Sequence, residues 1–262
     1  MGIDPTVFAL IAPLSAVGLF FAMLAAFEVG RRIGMYRRLR HPEGVAKAGG
    51  VEAGVYGLLG LLIALTFAGG VTRFEDRRNL VTEETNAIGT AYLRIDALSA
   101  DAQPAMRQLF REYLDSRIET YRRLPDLDAA MAELARSVEL QGDIWTQAIG
   151  ACPNSGLQSA CMLLLPALNE MIDITTTRFT ASQNHPPLVI YLFLAALSVT
   201  ASMLAGYDLS EFQYRSWLHM VIFALALSAA VYVIVDIEFP RLGLIRVDAA
   251  DQNLVDLRRS MD

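Results

Sequence analysis

The chain has 262 residues, of which 54% are hydrophobic and 19% are charged, and its formal net charge is −6. This modest acidic charge, without a strongly basic tract, excludes the pattern of a nucleic-acid-binding arm. The mean hydropathy of +0.36 and the grouping of apolar residues into long blocks indicate an integral membrane protein.

Four blocks free of Lys, Arg, Asp and Glu are long enough to cross a bilayer, which requires about 20 apolar residues per helix. They cover residues 7–27, 53–72, 188–206 and 217–235. Only Asp4 precedes the first block as a charged residue, so this block lacks the basic start of a signal peptide and is expected to be a retained helix. The sequence therefore predicts a multi-pass protein of a cell membrane, the inner membrane in a bacterium.

The predicted fold is an all-α integral membrane protein, with four transmembrane helices in two pairs and a helical extramembrane domain between them. The expected boundaries are 1–72 for the first pair, 73–185 for the helical domain, 186–240 for the second pair and 241–262 for a polar C-terminal tail. With no proline between residues 53 and 98, the second spanning helix is expected to continue into the helical domain.

Apolar residues at helical spacing define four stripes in the middle region, and each stripe is expected to face the core of a helical bundle. The first contains Leu80, Val81, Ile88, Tyr92 and Ile95, and the second Met106, Phe110, Leu114, Ile118 and Tyr121. The third contains Leu127, Met131, Leu134, Val138, Trp145 and Ile149, and the fourth Leu157, Leu164, Leu168, Met171 and Ile172.

The two cysteines, Cys152 and Cys161, flank a predicted turn at residues 153–156. Two interpretations are open. They are either two buried or free thiols, or a local disulfide, which requires an oxidising compartment. Their spacing is not that of a metal site, and no metal or other cofactor is expected.

Basic residues near the helix ends bear on orientation, because cytoplasmic links carry an excess of Lys and Arg. The link at residues 28–52 has six such residues, and Arg215 adds one in the second link. The opposite side has Arg73, Arg77, Arg78, Arg178, Arg241 and Arg246. The compact first link favours cytoplasmic links and a helical domain on the outer side.

The stretch GLLGLLIALTFAGGVTRFEDRRNLVTEETN, residues 57–86, passes from an apolar helix through Phe67 to an Arg–acidic–Arg pattern. It resembles the second transmembrane helix of bestrophins, and the layout of the whole chain resembles the bacterial bestrophin-like proteins. The residues that carry this resemblance are Gly60, Phe67, Arg73, Arg77, Arg78, Glu84, Asn86, Gly89, Thr90, Tyr92, Arg94, Asp236, Ile237, Glu238, Phe239, Pro240, Arg241 and Gly243.

The resemblance implies an oligomeric anion channel, a pentamer in bestrophins, with a pore lined by the second helix of each subunit. The partners implied are a lipid bilayer, further copies of the chain and small anions. The pore face expected from helical spacing is Gly60, Ile63, Phe67 and Gly70, with Arg73 and Arg77 at the mouth. The alternative is structural: the glycines permit close helix packing, and the arginines pair with nearby acids or phosphates. The resemblance also implies a cytoplasmic helical domain, in conflict with the charge count.

A second charged end follows the fourth spanning block, where Asp236 and Glu238 precede Arg241. Acids near a membrane are costly unless they are paired or hydrated. We expect these residues to form either an interfacial ion-pair network or a cation-binding or gating cluster.

No nucleophile elbow, phosphate loop or zinc-protease motif occurs in the chain, which predicts that it is not an enzyme. Two functions remain as hypotheses. One is a bestrophin-like ion channel, and the other is a non-conducting membrane sensor or scaffold whose helical domain binds a partner or ligand.

Overall fold

The computed structural model describes residues 5–40, 49–152, 158–211 and 217–262. These residues form α1 (Pro5–Arg40), α2 (Gly49–Leu93), α3 (Gln103–Arg122), α4 (Leu127–Ala151), α5 (Gln158–Gln183), α6 (Leu188–Asp208), α7 (Trp217–Glu238) and α8 (Asp248–Ser260). Short 3-10 helices follow α2 at Arg94–Ala97 and α6 at Leu209–Glu211. The predicted turn at residues 153–156 lies outside the described residues.

The chain divides into two compact units. The membrane unit contains Val7–Thr72 and His185–Phe239, and the helical unit contains Arg73–Asn184 and Pro240–Asp262. The helix α2 is continuous and contributes residues to both units, as its sequence predicted.

Four helical segments are long and apolar enough to cross a membrane, and the four predicted blocks lie in α1, α2, α6 and α7. In lipid, a helix is favoured because it satisfies every backbone hydrogen bond within the segment. The prediction of an all-α membrane protein with two pairs of spanning helices is confirmed.

Glycines allow α1 and α6 to pack backbone against backbone in the membrane unit. A Cβ atom on Gly30 would lie 1.9 Å from the carbonyl oxygen of Met203, and one on Gly206 would lie 2.1 Å from that of Phe27. Small residues at helix contacts are typical of membrane proteins, in which close packing provides much of the attraction between helices.

The helical unit has a continuous apolar core. Its buried members include Ile88, Phe110, Ile144 and Leu168, one from each of α2 to α5. The side chain of Asp126 caps α4 by accepting a hydrogen bond of 3.0 Å from the backbone N–H of Ala129. The second predicted stripe is placed correctly, since Met106, Phe110, Leu114 and Ile118 are all buried; its last member, Tyr121, is half-buried.

The predicted stripe on α4 is wrong. Met131, Val138 and Ile149 are exposed, and the helix instead buries Ala130, Ser137, Leu140, Gln141, Ile144, Ala148 and Ala151. The polar Gln141 is tolerated in this core because its side-chain amide donates to the hydroxyls of Tyr113 and Thr175, at 3.1 and 3.0 Å.

The C-terminal segment is not simply a polar tail. Its helix α8 is amphipathic and places Leu254 in the core of the helical unit, together with the flanking Val247 and Met261. The hydroxyl of Tyr92 also donates to the backbone carbonyl of Met261, at 3.2 Å. The segment therefore completes the fold of the helical unit.

Candidate functional site

Within the membrane unit, α2 has one packed side and one open side. Leu59 is buried against Leu194, Leu197 and Ile234 of α6 and α7. The opposite side is exposed and consists largely of small residues, namely Gly54, Gly57, Ala64 and Ala68, with Leu61 among them. No described atom lies within 4 Å of a Cβ built on Gly54, Gly57 or Gly60, so this side leaves room for another helix or an open space.

The four predicted pore residues differ in their exposure. Gly60 and Phe67 are exposed, whereas Ile63 is half-buried and packs on the cluster around Leu59. Gly70 is buried: a Cβ there would lie 2.9 Å from Cγ2 of Ile237. Gly60 and Phe67 thus border the open side of α2, while Ile63 and Gly70 border its packed side.

The predicted mouth residues lie in the helical unit. Arg77 donates from Nε to the carbonyl oxygen of Ala181 at 3.1 Å and from Nη2 to that of Asn184 at 2.9 Å. These carbonyls are at the C-terminal end of α5, where backbone oxygens lack helical partners. Arg77 is therefore held in place by the C-terminal end of α5. Arg73 is half-buried.

Two acids at the end of α7 are buried in the membrane unit. Asp236 is 2% exposed and Glu238 is fully buried. Oε2 of Glu238 lies 3.9 Å from Nδ1 of His185, and the His185 ring stacks on Phe239 with ring centroids 4.3 Å apart. A buried carboxylate thus lies beside an imidazole ring at the end of α7.

Arg241, the third member of the predicted cluster, belongs to the helical unit. Its guanidinium makes two bonds to the carboxylate of Asp251 on α8, at 2.7 and 3.0 Å. This fork geometry gives the strongest form of arginine–carboxylate pairing. The guanidinium also stacks on the ring of Tyr121, 4.3 Å from its centroid.

A larger buried charge cluster occupies the helical unit. Nε of Arg117 lies 2.6 Å from Oε1 of Glu84, and Nη1 of Arg178 binds Oε2 of the same carboxylate. Nη2 of Arg178 lies 3.7 Å from Asp251. The Tyr121 ring lies beneath Arg178, at 4.3 Å, and its hydroxyl accepts a bond of 3.0 Å from Arg117. The cluster joins residues of α2, α3, α5 and α8.

The charges in this cluster depend on one another. Burial by itself lowers the pKa of the Arg117 guanidinium, but the charge and hydrogen bond of Glu84, together with the nearby Tyr121 and Tyr113, outweigh it and the net direction is upward. Arg117 is consequently charged at every physiological pH. Its Nη1 atom is buried with no hydrogen-bond partner in the part of the chain that the structure describes. This arrangement holds helices together by electrostatics and contains no nucleophile paired with a base.

The sequence contains a weak signal for this cluster. Arg117 lies in the apolar stripe of α3, between Leu114 and Tyr121, and Glu84 lies between Val81 and Ile88. A charged residue at a core position of a helix requires a buried partner of opposite charge. The periodicity indicates that such a partner exists but does not identify it.

Cys152 and Cys161 are joined by a disulfide, with their Cα atoms 5.6 Å apart. The sequence left two alternatives open, free or buried thiols and a local disulfide. The structure contains the disulfide. It connects the end of α4 to the beginning of α5.

Four helices able to span a bilayer, with a helical unit between the two pairs along the chain, define a multi-pass membrane protein. The family model of the bestrophin-like domain matches residues 36–251. The match covers most of the chain, and the chain belongs to the bestrophin-like family, as its resemblance predicted.

Solved structures agree with this assignment at the level of the fold. A bacterial bestrophin homolog from Klebsiella pneumoniae is 14% identical, with a TM-score of 0.66, and the match covers 91% of this chain and 98% of that one. A mutant of a bacterial bestrophin homolog from the same organism is 15% identical, with a TM-score of 0.68 and coverage of 94% and 98%. No curated protein sequence matches the chain.

Proposed function

We propose that the protein is an oligomeric bestrophin-like ion channel that conducts small anions through a pore lined by α2. The observation that carries the proposal is the open side of α2, which faces away from the α6 and α7 residues around Leu59. A pore between subunits needs a spanning helix with one side free of contacts within its own subunit.

The composition of this side supports the proposal. Gly54, Gly57 and Ala64 add little bulk, so several copies of α2 can approach a shared axis closely. Phe67 is an exposed aromatic residue near the end of this apolar segment and borders the open side, with 43% of its surface accessible. A ring of such side chains forms an apolar constriction that can gate a pore by excluding water.

The preference for anions rests on the charge that follows Phe67 along α2. Arg73 and Arg77 are expected at the pore mouth, where positive charge raises the local concentration of anions. The two carbonyl contacts of Arg77 hold its guanidinium in a fixed position at this end of the segment.

Halide flux into liposomes that contain the purified protein tests the proposal. We expect the wild type to conduct and Phe67→Ala to change the rate or the selectivity, because the substitution widens the constriction. Phe193→Ala is the matched control: Phe193 is an exposed phenylalanine of a spanning helix, α6, with an accessible fraction of 51%. Equal effects of the two substitutions would place the pore elsewhere.

The assembly provides an independent readout. A ring of subunits with α2 nearest the axis, a pentamer if the assembly follows bestrophins, supports the channel. A monomer or a closed dimer contradicts it, because neither surrounds a pore with copies of α2.

The second candidate is a non-conducting sensor or scaffold whose helical unit binds a partner. The exposed apolar residues Met131, Val138 and Ile149 on α4 favour it, since large apolar side chains left exposed on one helix are candidates for contact with a partner. Absence of flux from the wild type and from Phe67→Ala, across pH and with or without calcium, would favour this candidate over the channel.

A further inference from the structure

The helix α1 extends well beyond its apolar block. The uncharged block ends at Phe27, but the helix continues to Arg40. At 1.5 Å per residue, this extension adds about 20 Å to the helix. The extension is too polar to lie in the hydrocarbon core of the bilayer.

One side of the extension is occupied by α6 and the segment after it. A Cβ on Gly34 would lie 2.3 Å from Oγ of Ser210. Arg38 donates to the same oxygen at 3.2 Å and pairs with Glu211 at 3.0 Å. These contacts fix the rotation of the extension about its axis and therefore determine which residues face outward.

The outward side combines apolar and basic residues. Val29, Ile33, Tyr36 and Leu39 are exposed, and Leu39 is 82% accessible. The exposed arginines on this side and beside it are Arg32, Arg37 and Arg40. Arg40 stacks on the Tyr36 ring, 4.6 Å from its centroid, so the aromatic and basic groups form one surface.

The charge on this surface is only partly balanced. Arg32 pairs with Glu28 at 2.9 Å. Among the described residues, no carboxylate lies within ion-pair distance of Arg37 or Arg40. Two guanidinium groups with no carboxylate partner in the described part of the chain thus lie beside exposed aliphatic and aromatic groups, directly after a membrane span.

We propose that this side of α1 is a binding site for the headgroups of anionic phospholipids. The extension directly follows the span, and arginine side chains near the ends of spanning helices reach back to the headgroups while their aliphatic stems cover apolar surface. The three guanidinium groups bind the phosphates by charge-assisted hydrogen bonds. The proposal does not depend on conduction, since it concerns the attachment of the helix to the bilayer.

Titration of the detergent-purified protein with phosphatidylglycerol or phosphatidylcholine of the same acyl chains, followed by native mass spectrometry, tests the site. Each basic residue near an anionic surface is expected to strengthen binding about fivefold. We expect the triple variant Arg32→Gln, Arg37→Gln, Arg40→Gln to bind phosphatidylglycerol at least about tenfold more weakly than the wild type. Binding of phosphatidylcholine should not change.

Two further variants make the result specific. The Arg-to-Lys triple variant at the same positions should retain most of the preference for phosphatidylglycerol, which separates loss of charge from loss of fold. Arg122→Gln with Arg123→Gln removes two exposed arginines from the helical unit and should have no effect. Equal binding of the two lipids by the wild type, or equal losses in the test and control variants, would overturn the proposal.

Discussion

At the scale of single residues, the helical unit depends on Glu84. Its carboxylate is fully buried and contacts the guanidinium groups of Arg117 and Arg178, which are also buried. Moving charges out of water is costly, and a buried pair is stable only while both partners are present. Loss of Glu84 consequently removes the carboxylate that both guanidinium groups share, and leaves Arg178 with only the more distant Asp251, at 3.7 Å.

We predict that Glu84→Gln destabilises the protein by about 3–5 kcal/mol, since it leaves two buried guanidinium groups facing a neutral amide. For a chain of this size, this corresponds to a fall in the midpoint of thermal unfolding of roughly 10 °C. Circular dichroism of the detergent-purified protein measures it. Glu83→Gln is the matched control, because Glu83 is the exposed neighbour on the same helix. Similar midpoints for Glu84→Gln and wild type would show that the cluster contributes little.

Contacts between residues that are far apart in the sequence cannot be predicted from a single sequence. Arg117 and Glu84 are 33 positions apart, and Arg178 and Glu84 are 94 positions apart. No local pattern connects such distant positions. The sequence predicted the acids and arginines at the helix ends, but not the pairing of Arg241 with Asp251.

At the scale of elements, the sequence predicts where the helices lie. It predicts only for some helices which side faces the core. The stripe of α3 was correct because its apolar residues form a single face. On α4, Met131, Val138 and Ile149 point outward, and the buried side combines Leu140 and Ile144 with small residues, Ser137 and Gln141. The apolar residues of α4 lie on more than one side of the helix, so their spacing alone does not identify the side that packs in the core.

The contact between α1 and α6 leads to a prediction for these elements. Gly30→Ala places a methyl group 1.9 Å from the backbone oxygen of Met203, so the two helices must separate. Overpacking of this kind costs about 1–3 kcal/mol, and we expect a lower midpoint of thermal unfolding.

Gly18→Ala provides the control on the same helix. No described atom lies within 4 Å of a Cβ at Gly18, so the methyl group is accommodated without movement. The unfolding midpoint should remain near that of the wild type or rise slightly, because alanine favours helix more than glycine does. If both variants lose the same stability, the loss is a general effect of substitution in α1 and not a consequence of the α1–α6 contact.

At the scale of the whole molecule, two lines of reasoning about orientation disagree. The count of basic residues favours a helical unit on the outer side of the membrane, whereas the resemblance to bestrophins implies a cytoplasmic one. The Cys152–Cys161 disulfide favours the outer side, since such bonds persist in oxidising compartments and are rare in the cytosol. Because the chain contains only these two cysteines, their redox state in the cell is a direct test.

We predict that protein taken from acid-quenched cells, denatured and treated with a maleimide mass tag, acquires no tag before reduction and two tags after it. This result means that the disulfide exists in the cell and places the helical unit in an oxidising compartment. Cys152→Ser is the control that exposes a single reactive thiol. Two tags without prior reduction would mean that both thiols are free in the cell, and would favour the cytoplasmic orientation that the bestrophin resemblance implies.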